Sequence, residues 1–168
     1  LQKNVAGTLY NLAFNDASKI KIAKVNGVLP KLIALLDSSD VDLQTNVAGI
    51  LWNLSVNDAN KIKIAEEQEA IPKLIKILDD PDKDVDLQIN VAGILRNLAY
   101  NDANQKKIAE IKSALSTLIR LLELIKILDD PEENVALQKN VAGTLYNLAF
   151  NDANREKIAE EQEAIPKL

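Results

Sequence analysis

The sequence contains no cysteine, no histidine and no methionine. Those absences exclude disulfides, thiolate chemistry, imidazole general bases and the usual zinc and copper ligands. No carboxylate pair, nucleophile with a base, phosphate loop or metal cluster can be assembled from the motifs present, so no catalytic residue and no cofactor is expected. Aromatic residues make up only 4% of the 168 positions, so aliphatic side chains must fill the interior, and a hydrophobic content of 47% is ample for a continuous core. No apolar run approaches the roughly 18 residues of a spanning helix. A net charge of −5 argues against non-specific nucleic-acid binding. The chain reads as soluble and intracellular, cytoplasmic or nuclear. Leu1 stands where an initiator methionine is lacking and reads as the edge of a fragment.

What is present in abundance is one phrase, written four times. It runs LQKNVAGTLYNLAFND from Leu1, LQTNVAGILWNLSVND from Leu43, LQINVAGILRNLAYND from Leu87 and LQKNVAGTLYNLAFND from Leu137. The periods of about 42, 44 and 50 residues belong to stacked two- or three-helix units, longer than ankyrin or tetratricopeptide repeats. The expected organisation is a single solenoid with repeats 1–42, 43–86, 87–136 and a truncated 137–168. The third repeat is irregular through a six-residue insertion near 117–125.

Each repeat reads as three helices. In the second copy, Leu43, Val47, Leu51 and Leu54 fall at spacings of four, four and three, one apolar stripe of a helix over 43–56. Asn57 suits the left-handed residue that ends a helix, and Asp58 suits the N-cap of a short helix around Asn60 to Glu67. Pro72 fits the first turn of a further helix, where its missing N–H costs nothing. Leu74, Ile75, Ile77 and Leu78 supply the buried face of that helix until Asp79-Asp80-Pro81 stops it.

The strings NVAGILWNLSVNDANKIKIAEEQEAIPKLIKIL and NVAGILRNLAYNDANQKKIA resemble the armadillo repeat family, nearest to the repeats of catenins and plant U-box proteins and less to importin-alpha. The resemblance covers the whole chain. It implies an all-α, right-handed superhelical solenoid whose fourfold phrase is the family's third helix, so the chain starts on helix three and ends within helix two. Two family features are incomplete. The glycine between helices one and two is kept as Gly27 but is Glu69, Ser113 and Glu163 elsewhere; the proline is Pro30, Pro72 and Pro166, with Ser116 in the third copy.

The resemblance also implies a function: an asparagine of helix three pairs with the backbone of an extended peptide in a concave groove. By motif it falls on Asn11, Asn53, Asn97 and Asn147. An amide offers both donors and an acceptor, so it can satisfy a peptide N–H and C=O without reading the side chain. A second asparagine lies seven residues earlier, at Asn4, Asn46, Asn90 and Asn140, about two turns away on nearly the same helix direction. The alternative for both rails is that the amides bond their own solenoid and tie repeats together.

On a helical wheel, Trp52 falls opposite the core stripe with Thr45, Gly49 and Val56 beside it. The varying position Tyr10, Trp52, Arg96 and Tyr146 is therefore the candidate set of groove side-chain pockets. Phe14, Val56, Tyr100 and Phe150, near the helix end, are a further varying column of that face, for which packing under the neighbouring repeat is the alternative expectation. Where importin-type repeats carry a slot-forming tryptophan, this chain has Gly7, Gly49, Gly93 and Gly143, which argues against nuclear-localisation-signal binding. Lys3, Arg96 and Lys139 occur in the four phrases and no acidic residue does before the last aspartate, so a neutral to mildly acidic peptide or disordered segment is the expected partner.

The third copy extends KLIKILDDP to TLIRLLELIKILDDP. Six extra helical residues advance a helix by about 9 Å and rotate its face by about 120°. One reading is a longer second helix with the corner kept. The other is a continuous helix over 105–130, seamed by Ile108, Ile111, Leu115, Leu118, Leu122 and Ile125, which would let 137–168 dock on another molecule by domain exchange. The ends add to this: Leu1–Ala17 is identical to Leu137–Ala153, and Ala159–Leu168 to Ala65–Leu74, so the terminal surfaces are those of internal repeats. Uncapped solenoid ends are sticky, and end-to-end stacking is a further route to a homo-oligomer. Such identity fits recent duplication or consensus engineering. Two functions follow: a non-enzymatic peptide-binding scaffold, or a structural or designed module that self-associates and has no native ligand.

Overall fold

The computed structural model describes residues 2–127 and 131–164, in which there are eleven helices and no strand. Each copy of the repeated phrase forms one long helix: α1 (Gln2–Leu12), α4 (Val41–Ser55), α7 (Val85–Leu98) and α10 (Pro131–Leu148). Each is followed by a shorter one, α2 (Asp16–Lys24), α5 (Asp58–Glu66), α8 (Asp102–Glu110) and α11 (Asp152–Ala164). The first three copies then add α3 (Val28–Leu35), α6 (Ala70–Asp79) and α9 (Ala114–Ile127). The long helices pack in chain order, α1 on α4, α4 on α7 and α7 on α10. Their apolar stripe makes the core: Leu43, Val47, Leu51 and Leu54 are buried, as are Leu87, Val91, Leu95 and Leu98. Burying each such side chain stabilises the array by roughly 1.5–3 kcal/mol.

The corner after each long helix differs from the sequence expectation. Asn57 is not left-handed: it is extended (φ −82°, ψ 132°), and its side chain accepts the Asn60 N–H at 3.2 Å. Asn15, Asn101 and Asn151 likewise accept from Ser18, Asn104 and Asn154. The asparagine thus caps the helix that follows, satisfying an N–H that has no intrahelical partner, and Asp58 becomes the first helical residue, paired with Lys61 at 2.7 Å. Among the described residues only Gly27 has a positive φ, 74°. Its counterpart Glu69 turns the same corner at φ −84°, so the loss of the family glycine costs the later copies no backbone strain.

Amides join the copies. Gln44 and Gln88 donate to Leu36 O and Asp80 O at 2.6 and 3.0 Å, closing the end of the preceding unit. The buried Asn60 donates to Leu54 O of its own copy and Lys19 O of the copy before. Asn104 does the same with Leu98 O and Lys61 O, and Asn154 with Leu148 O and Gln105 O.

Of the two readings for the third copy, the corner is kept and the second helix is longer; the continuous helix over 105–130 does not form. Ile111 leaves the helical region (φ −71°, ψ 116°), and the corner closes through Ile111 N–H to Ile108 O and Ala114 N–H to Ile111 O, at 3.2 and 2.9 Å. The physical reason is burial. Ala114, Leu115 and Leu118 sit in the core with Ile108, and a straight continuation of α8 would carry them away from it. Of the would-be seam, Ile108, Leu115 and Leu118 are buried inside the solenoid, with Ile111 and Leu122 packed against them. The insertion is taken up by α9, 14 residues against ten in α6, and by the early start of α10 at Pro131. Thr117 and Arg120 anchor α9 to Asp79 on α6, at 2.9 and 2.7 Å. The fourth copy therefore docks on its own array: Leu137 and Val141 are buried, and α10 packs on α7. In the fourth copy α11 runs on to Ala164, and the expected second helix beyond it lies outside the described residues. No helix among the described residues is long and apolar enough to cross a membrane.

Candidate functional site

The third-helix face is built from side chains of one copy laid on glycines of the next. A Cβ placed on Gly49 would stand 2.4 Å from Tyr10 Cε2, one on Gly93 would stand 2.5 Å from Trp52 Cε2, and one on Gly143 would stand 2.6 Å from Arg96 Nε. The glycines are therefore not empty slots but cradles, each filled by the variable residue of the preceding copy. Tyr10, Trp52 and Arg96 are consequently half-buried, each held down on the backbone of the next long helix, while Tyr146 is exposed. Glycine is needed here because any side chain would lift the platform off the helix beneath it.

The two asparagine rails divide by position. Asn90 donates to Thr45 O and Asn140 to Ile89 O, both at 3.2 Å, so this part of the earlier rail ties long helices to one another. Arg96 Nη1 also donates to Asn140 Oδ1 at 3.4 Å. In the family-matched rail, Asn147 is only 3% exposed and donates to Arg96 O at 3.1 Å. Asn97 donates instead to Ser55 Oγ at 3.0 Å, and that hydroxyl donates to Trp52 O at 2.7 Å. Asn11 and Asn53, together with Asn4 and Asn46, make no side-chain hydrogen bond among the described residues. The first half of the array thus keeps its third-helix amides free, and the second half uses them internally. The interhelical role of Asn60, Asn104 and Asn154 was missed in the sequence, although a signal existed: NDAN recurs in copies two to four, and the first copy has NDAS.

The aromatic column at the helix ends corrects the expectation of packing. Phe14, Val56, Tyr100 and Phe150 are all exposed. Phe14 forms a T-shaped pair with Tyr10, with ring centres 5.1 Å apart, and Tyr100 lies under the Lys61 ammonium at 5.3 Å. Charge on this face is also more balanced than the phrases alone implied. Lys3 pairs with Asp40 at 2.9 Å and Asp42 at 3.0 Å, contributed by the turn into α4. Those carboxylates raise the Lys3 ammonium above its ordinary range, and Lys3 holds Asp40 below the usual carboxylate range. Among the described residues no three acidic side chains converge to hold a metal.

Residues 17–56, which span α2, α3 and α4 as one complete three-helix unit, match the family model of the armadillo/beta-catenin-like repeat. Among solved structures, a designed armadillo repeat protein superposes with a TM-score of 0.80 over 95% of this chain, at 24% identity. The chain folds as an armadillo-type helical solenoid. A second similar structure is of computationally designed armadillo repeat proteins for modular peptide recognition, with a TM-score of 0.79 over 95% of this chain and 26% identity. A third is an engineered protein, with a TM-score of 0.80 over 96% and 27% identity. The armadillo solenoid formed by this chain spans 63% of the length of each of these three. No curated protein matches it in sequence.

Proposed function

We propose that the chain is a non-enzymatic scaffold that holds an extended peptide along its third helices. The observation that carries this reading is Asn53, a half-buried amide on α4, inside the array, that makes no side-chain hydrogen bond among the described residues. Its amide stays open to solvent, so an arriving peptide can take up its donors and acceptor without breaking an internal bond. Asn11 and Asn97 extend the row on either side, Asn97 with the donor and acceptor that its bond to Ser55 leaves over, while Asn147, already bonded to Arg96 O, supplies positioning. The flat Tyr10 and Trp52 side chains give a peptide apolar surface at little cost in conformational entropy. With Lys3 neutralised by Asp40 and Asp42, the bound segment is neutral to mildly acidic, its acidic residues meeting Arg96 and Lys139.

A peptide-library screen read by Trp52 fluorescence tests the reading. Hits should lose about 1–2 kcal/mol of affinity in Asn53→Ala, the scale of a lost hydrogen bond to a buried group, and little in Asn147→Ala. A screen without an Asn53-dependent hit would leave the chain as a structural module.

A further inference from the structure

Two apolar clefts open on either side of the corner between α5 and α6, with copies one and three as their outer walls. The first, of about 340 Å³, lies between Pro30, Ile33 and Ala34 of copy one and residues 66–69 of copy two. The second, of about 290 Å³, lies between Ile71 and Pro72 of copy two and Ile111 of copy three, and is also lined by Glu66, Glu67 and Glu110. Pro30 and Pro72 hold the same position in successive copies. The clefts are therefore about one helix spacing apart, roughly 8–10 Å.

The ridge between the clefts is acidic. Glu66 and Glu69 are exposed and Glu67 is half-buried, whereas the same corner has Lys24, Val25 and Gly27 in copy one and Glu110, Ile111 and Ser113 in copy three. Asp16, Asp40, Asp58 and Asp79 each hold a cation, yet Glu66, Glu67, Glu69 and Glu110 make no ion pair and no side-chain hydrogen bond among the described residues. The ammonium groups that line the clefts are engaged elsewhere. Lys107 donates to Ala65 O at 3.1 Å, and Lys73 pairs with Asp37. Lys24 and Lys63 line an adjoining hollow that Glu66 and Glu67 share, and neither pairs with them.

We propose that this corner docks a basic amphipathic helix of a partner protein, with one apolar side chain in each cleft and lysine or arginine between them facing Glu66, Glu67 and Glu69. The spacing fits a helix. Positions i and i+7 lie about 10.5 Å apart on nearly one face, and i+3 and i+4 fall between them. The charge fixes the sign of the partner: a chain of net charge −5 with unpaired carboxylates at the site draws in a basic segment and repels an acidic one. The clefts set the register, since two apolar anchors can enter them only at the right separation. This surface is built from α3, α5, α6 and the corner at Ile111, not from the third helices, and its ligand is opposite in charge to the segment expected there. The two faces can therefore be filled independently.

Fluorescence anisotropy of a labelled synthetic helix, with leucine at i and i+7 and lysine at i+3 and i+4, titrated with the whole chain, tests this. Binding should weaken by at least about fivefold between roughly 0.05 and 0.5 M salt, as the exposed charges are screened. Glu66→Gln, Glu67→Gln and Glu69→Gln together should lower the affinity by at least about tenfold. An equal change of net charge elsewhere, through Asp82→Asn, Asp86→Asn and Asp102→Asn, should alter it less than about twofold. Ala34→Lys, at an exposed position of α3, fills the first cleft with like charge and should act in the same direction as the glutamate variant. Thermal melts of all these variants should match the parent's, because exposed side chains carry little of the stability. The proposal is overturned by no binding with the chain at about millimolar concentration, or by equal losses in the two triple variants. It is overturned equally by a bound helix that shifts Trp52 emission and is lost in Asn53→Ala, which would put the peptide on the third-helix face instead.

Discussion

Trp52 lies on Gly93 so closely that a Cβ added to the glycine would stand 2.5 Å from Cε2 of the indole and 2.7 Å from its nitrogen. Because this is the only tryptophan in the chain, its emission reports directly on the platform. Gly93→Ala should gain up to about 1 kcal/mol of intrinsic helix propensity, yet displace the indole. The expected outcome is a shifted emission maximum and weaker peptide binding, with thermal stability no higher than the parent's. An unchanged spectrum with a full gain in stability would mean that the glycine has no role in seating the ring.

Ser55 stands between Asn97 and Trp52 O as a relay, whereas Asn147 reaches Arg96 O directly because Ala99 occupies the serine's position. Ser55→Ala should therefore be nearly neutral, within about 0.5 kcal/mol, as Asn97 takes up the direct bond that Asn147 already makes. Asn147→Ala should cost about 1–2 kcal/mol, because it removes a buried amide from an interhelical bond. Urea unfolding of both variants would check the pair, and equal losses would contradict the relay.

Thr45 carries the one buried side-chain polar atom without a partner among the described residues, its hydroxyl oxygen. Thr45→Val keeps the branched shape and removes that oxygen. It should stabilise the chain by up to about 1 kcal/mol, since the desolvation of an unmade hydrogen bond is relieved. A midpoint of chemical unfolding that falls would show that the hydroxyl is satisfied in solution.

The pH dependence follows from the carboxylates. Asp79, bonded by Thr117 and Arg120, is held below its ordinary range, as are Asp16 by Lys19, Asp40 by Lys3 and Asp58 by Lys61. A depressed folded-state value means that the stabilisation is complete above the unfolded carboxylate range near pH 4 and is lost as pH falls through the folded value. Lys3 is raised, so its share is present below its ordinary value of 10.5 and is lost as pH rises beyond it. With no histidine or cysteine to titrate in between, thermal unfolding should be flat from about pH 5 to 9 and drop outside that window. Asp79→Asn should soften the acid limb, and a slope across neutral pH would contradict the assignment.

The helices were legible because their cause is local. Leu43, Val47, Leu51 and Leu54 fall on one stripe whatever surrounds them, and all four are buried. The asparagines were legible only as amides. An amide satisfies a peptide backbone or a neighbouring helix equally well, and the choice at Asn90, Asn140 and Asn147 rests on whether a carbonyl of the preceding copy comes within about 3 Å. The apolar character of Phe14 and Tyr100 suits packing under the next repeat, but the stacking geometry leaves them outside.

The sequence by itself determined the repeat, its helical units, the aliphatic core and the chemistry that is absent, because composition and periodicity act within one helix at a time. Only the tertiary structure decided that Ile111 breaks the long seam, that the glycines are seats for Tyr10, Trp52 and Arg96, and that Asn53 is left free where Asn147 is not. Each of those depends on how closely one copy approaches the next, a distance set by packing across residues some forty positions apart and by nothing written within a single copy.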